Sequence, residues 1–84
     1  MYYAFIDGEY LGSSKHIGYL KKRVDEDMEL FNGFHATIYR GERSYCSRFY
    51  NGTWKLFGSE KKNRPELPDW AFARRIHTAQ PKRP

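Results

Sequence analysis

The chain carries a single cysteine, Cys46. That excludes an intrachain disulfide framework and a cysteine-based zinc site. It has no apolar run approaching the length of a membrane span and no signal-peptide pattern ahead of its first apolar stretch, so a cytoplasmic location is expected. Its three histidines, His16, His35 and His77, stand apart from one another and from carboxylates at metal-ligand spacings. The glycines fall at turns and not in a phosphate-cradling order. Aliphatic residues are few. Aromatic residues supply 18% of the chain instead, and each buries a large area. Eighty-four residues therefore make one domain with a modest core, expected over 1–79, with a disordered basic Pro-rich tail at 80–84.

The stretch from Phe34 to Phe57 reads as a three-stranded antiparallel meander. Asn51-Gly52 separates two runs rich in aromatic residues and is a strong type I′ hairpin signal. A two-residue loop there pairs Phe49 with Trp54, Arg48 with Lys55 and Cys46 with Phe57. Gly41-Glu42 closes the preceding hairpin as a type II′ turn, pairing Arg40 with Arg43, Ile38 with Tyr45, His35 with Arg48 and Phe34 with Phe49. The two registers agree. One face collects Phe34, Phe49, Trp54, Ala36, Ser47, Leu56, Ile38 and Tyr45 as a core. The other collects His35, Arg48 and Lys55, flanked by Tyr39, Thr37, Cys46, Phe57, Tyr50 and Thr53. A one-residue slip would put charge among the aromatics.

Ahead of the meander, residues 2–6 are apolar and β-prone, and Asp7-Gly8 turns them back onto 9–12. Ser13 or Ser14 caps a helix that runs to about Met28, with Ile17, Leu20, Val24 and Met28 on one stripe. Asp25, Glu26, Asp27 and Glu29 crowd its C-terminal end, against the macrodipole. Either the helix stops near Arg23–Asp25 or the acids serve another purpose. After the meander, Pro65, Leu67 and Pro68 stiffen a charged loop, and Pro68 or Asp69 starts a second helix. On it Trp70, Ala73, Ile76 and His77 share a face. The fold class is α+β, a small antiparallel sheet in the order β–(β)–α–β–β–β–α. One helix covers the core face, and a short C-terminal helix crosses the other face or lies at an edge.

The span 14–79 resembles a double-stranded RNA-binding domain in its α-β-β-β-α order. Those domains enter their last helix through Lys-Lys-x-Ala-Lys; here Glu60-Lys61-Lys62-Asn63-Arg64 runs into Pro65, and the first strand is additional. In size and layout the chain is also similar to small phage-encoded inhibitors, anti-CRISPR proteins among them, without a shared motif. Neither likeness assigns a family.

The net charge of +5 is uneven: residues 1–58 carry eight Lys and Arg against seven Asp and Glu, residues 59–84 seven against three. A basic C-terminal third is a common nucleic-acid footprint and equally a common solubility feature. Cys46 has no base among its expected neighbours and reads as an inert, half-buried thiol. No two groups are expected to meet in a catalytic arrangement, so no enzyme and no cofactor are expected. The expected function is non-enzymatic binding of DNA or RNA. The surface would be the basic and aromatic sheet face of His35, Tyr39, Arg48, Tyr50 and Lys55, extended by Arg40, Arg43, Lys61, Lys62, Arg64, Arg74 and Arg75. The alternative is a protein-interaction module, such as an inhibitor of a host or defence complex with an acidic surface. No membrane partner is expected. Trp70 discriminates: packed on the His35 face, it removes the open platform.

Overall fold

The computed structural model describes residues 1–71. Five antiparallel strands form one sheet: β1 (Tyr2–Ile6), β2 (Glu9–Ser14), β3 (His35–Arg40), β4 (Arg43–Phe49) and β5 (Lys55–Leu56), in the spatial order β2-β1-β3-β4-β5. One helix, α1 (Ile17–Phe31), lies on one face. Residues 69–71 form a helical turn, with Ala71 N–H donating to Pro68 C=O at 3.0 Å. The expected face of Ala73, Ile76 and His77, the tail 80–84, and Arg74 and Arg75 lie outside the described residues.

Each turn reflects its residues. Asp7 (φ 51°) and Gly8 (φ 84°) are both left-handed, as a type I′ turn requires. The Asp7 carboxylate then accepts from the backbone N–H of Phe34 (3.1 Å) and His35 (2.9 Å), fixing the start of β3 on the β1–β2 turn. Gly41 (φ 62°) leads a two-residue turn that sets Arg40 opposite Arg43, as the type II′ reading expects. Asn51-Gly52 is different. Neither residue has positive φ, and Gly52 N–H closes a turn onto Phe49 C=O at 3.0 Å.

The helix begins at Ile17, with His16 at the N-cap and no side-chain cap. Ser14 belongs to β2, and its Oγ accepts from His16 N–H at 3.0 Å. The helix runs past Met28 to Phe31 and ends on left-handed Asn32, with Gly33 N–H closing onto Met28 C=O at 3.0 Å. Its stripe is as the spacing predicts: Leu20, Val24 and Met28 are buried and Ile17 packs beside them. They meet Ala4, Ala36, Ile38 and Cys46 from the sheet. Cys46 is fully buried, and burial pushes its thiol pKa above the usual value, with the charge of Lys21 acting in the opposite direction.

The register of β4 departs from expectation. A bulge leaves Tyr45 without a partner in β3, so Ile38 faces Cys46 and His35 faces Phe49. Cys46 in turn faces Leu56 and Ser47 faces Lys55, so the β4–β5 loop is one residue longer than the Asn-Gly reading allows. Both shifts move the second half of β4 by one residue. Arg48 therefore points to the helix, where Asp25 receives it, while Phe34, Phe49 and Leu56 are exposed instead of core. Trp54 does lie on the helix side, its Nε1–H donating to Asp25 Oδ1 at 3.1 Å.

Candidate functional site

The face away from α1 carries Tyr3 and Phe5 from β1, His35, Thr37 and Tyr39 from β3, and Ser44 from β4, because their neighbours in each strand enter the helix-side core. It is not an open platform. After β5 the chain continues along the edge of β4. Ser44 N–H donates to Lys62 C=O and Lys62 N–H to Ser44 Oγ, each at 2.8 Å, while Arg64 N–H donates to Glu42 C=O at 2.7 Å. The Arg64 guanidinium then sits 4.6 Å over the Tyr3 ring. The Trp70 ring lies 5.2 Å from that of Tyr10, which packs on Phe5, which in turn meets Tyr39 edge-on. Residues 57–70 thus cross this face from β4 to β2. Thr37, Phe5 and Ser44 are buried, and burial raises the pKa of the Tyr39 phenol above its usual value.

Arg48 leaves the expected constellation altogether. Its Nη1 lies 2.5 Å from Asp25 Oδ1, its Nε–H donates to Phe49 C=O (3.0 Å) and its Nη2 donates to Tyr50 C=O (2.8 Å). It braces the helix to the loop, with its charge paired to Asp25. His35 is half-buried with its ring 4.6 Å from that of Phe49, not beside Arg48. Tyr50 is exposed at the far end of the sheet, 5.9 Å from the Phe34 ring. Lys55 is exposed on β5.

The other basic residues do come together. Arg40 and Arg43 face each other across the β3–β4 turn. Residues 61–64 return to the same place, bridged through Asn63 to Arg43, with Arg43 Nη2 donating to Lys61 C=O at 3.2 Å and Arg64 Nε to Gly41 C=O at 3.1 Å. Arg40, Arg43, Lys61, Lys62 and Arg64 thereby share one end of the sheet. Arg40, Arg43, Lys61 and Lys62 are exposed; Arg64 is half-buried. Glu42 and Glu60 lie in the same stretches, but among the described residues the only side-chain ion pair is Arg48–Asp25.

At the opposite end Phe34, Phe49 and Tyr50, each more than half exposed, form a contiguous aromatic patch. Sequence reasoning assigned Phe34 and Phe49 to the core and so missed it. The signal available was Asp25, an acid beside the apolar stripe of α1 that needed a cation from the sheet. Between the two ends lies a cavity of about 240 Å³, walled by Phe5, Tyr39 and Phe57 and bordered by His35, Thr37 and Lys62. Among the described residues no three His, Cys, Asp or Glu side chains are placed to hold a metal ion, and no helix is long and apolar enough to cross a membrane. No family model, curated protein or solved structure matches this chain.

Proposed function

We propose that the protein is a non-enzymatic accessory factor that binds nucleic acid, and that it does so through the basic end of the sheet and not through an open sheet face. The carrying observation is that residues 40–43 and 61–64, remote in sequence, bring Arg40, Arg43, Lys61, Lys62 and Arg64 together, none of them in an ion pair among the described residues. Cations directly opposite each other in a sheet are destabilising, so a ligand that neutralises them relieves a cost the fold otherwise carries. Phosphate binding displaces condensed counterions and depends steeply on salt. A mobility-shift assay at low salt tests the reading with DNA and RNA. Binding weakened by Arg40→Ala with Arg43→Ala supports it; no binding to any nucleic acid ends it.

A second reading, a protein-interaction module, is favoured by the exposed rings of Phe34, Phe49 and Tyr50. Contiguous exposed aromatics are typical anchors, and the basic end would suit a partner complex with an acidic surface. In this case a single dominant partner is retained after nuclease treatment and lost on Phe34→Ser with Phe49→Ser.

A further inference from the structure

We propose that the cavity under the sheet accepts one unstacked nucleobase, so that the nucleic acid bound at the basic end is single-stranded. This rests on the reading above and names the class of its ligand.

The cavity has the chemistry of a base pocket. Phe57 and Tyr39 are partly exposed rings on its wall, and buried Phe5 lies behind Tyr39, 5.4 Å away and edge-on. A base offers a π-face to such rings whatever its identity. The cavity is also polar where an apolar core pocket would not be. Thr37 is only 8% exposed, and among the described residues its hydroxyl has no hydrogen-bond partner. The Tyr39 hydroxyl and the His35 ring nitrogens are likewise without one. Buried polar groups are nearly always satisfied, so a buried, unpaired Thr37 hydroxyl beside aromatic rings marks a place where a ligand's donors and acceptors fit. A base edge carries both.

Position joins the pocket to the basic end. Lys62 borders the cavity and belongs to the cationic cluster, its backbone pinned to Ser44 on both sides. A strand whose phosphates follow Lys61, Lys62 and Arg43 passes the mouth of the pocket. A duplex cannot present a base there without unpairing it. The volume of about 240 Å³ suits one planar heterocycle and not a stacked pair.

The test uses fluorescein-labelled 12-mers, namely dT, dA and rU homopolymers and a duplex of the same length, titrated at one low salt concentration. The expected result is single-strand binding at least ten-fold tighter than duplex binding. Phe57→Ala should cost about ten-fold on the single strand, the value of one base stack, and little on the duplex. Thr37→Val, near-isosteric, should change the ranking of the homopolymers where circular dichroism shows the variant folded. Equal affinity for duplex and single strand, or a single-strand preference untouched by both variants, overturns the pocket while leaving the basic-end reading in place. A nucleoside monophosphate that displaces the strand at micromolar concentration also overturns it, by assigning the pocket to a free nucleotide. Absence of any nucleic-acid binding overturns both.

Discussion

The Asp25 carboxylate on α1 holds the Arg48 guanidinium of β4 at 2.5 Å and the Trp54 indole N–H at 3.1 Å on the same oxygen. One acid thus ties the helix to β4 and to the residue entering β5. Arg48 extends the tie, bonding the carbonyls of Phe49 and Tyr50 at the loop. The Arg48 side chain is 16% exposed and Asp25 44%, so water screens one partner more than the other. Arg48→Met should cost about 1–2 kcal/mol in urea unfolding and leave nucleic-acid binding unchanged where the variant is folded. A loss of affinity in folded protein would return Arg48 to the binding surface.

Most of the fold was legible. The order of elements, the turns at Asp7-Gly8 and Gly41-Glu42 and the stripe of α1 follow from local chemistry. The faces of β3 and β5 also came out as expected. Smaller misses fell on the helix cap, which is His16 and not a serine, and on the Asn51-Gly52 turn, which has no positive φ; the error that moved the site lay in β4, and it was well hidden. A bulge at Tyr45 shifts β4 by one residue against β3, and the longer loop after Phe49 shifts it by one against β5. The shifts compensate, so a reading with neither irregularity is self-consistent, and its internal agreement carried no information about β4. Only the long-range partner, Asp25 for Arg48, distinguishes the two. The site followed the same pattern: the individual cations were identifiable, but their assembly depends on the return of residues 61–64 to the β3–β4 turn, which no local signal encodes.

Gly33 offers a steric test of how α1 meets the sheet. A Cβ there would lie 2.9 Å from Ile6 Cγ2 and 3.2 Å from Met28 Cγ, with Met28 Cα at 3.4 Å. Gly33→Ala must displace both side chains beside a backbone that cannot yield. It should destabilise by about 1–3 kcal/mol, the usual cost of overpacking. An unchanged urea midpoint would mean that the helix end packs more loosely than described.

Stability should fall in alkali. Burial raises the pKa of the Cys46 thiol in the fold above the ordinary 9.0. The unfolded thiol ionises at that ordinary value. Its contribution is therefore fully present below 9.0 and is lost as pH rises toward and through the raised folded value. Tyr39, raised by burial from 10.0, adds to the loss at higher pH. The urea midpoint of the wild type should drop between neutral pH and pH well above 9.0. The drop should be smaller in Cys46→Ala and in Tyr39→Phe, each compared with its own value at neutral pH. Equal drops in all three proteins would remove both groups from the account.

The salt dependence of binding tests the central claim most directly. For a single strand, log Kobs against log salt has a slope of about −0.7 per phosphate contact, so Lys61→Ala with Lys62→Ala should reduce its magnitude by about 1.4. Lys22→Ala with Arg23→Ala, equally exposed but on α1, should leave it unchanged. If the edge pair has no effect on the slope, or the helix pair lowers it as much, the basic end of the sheet is not the binding surface.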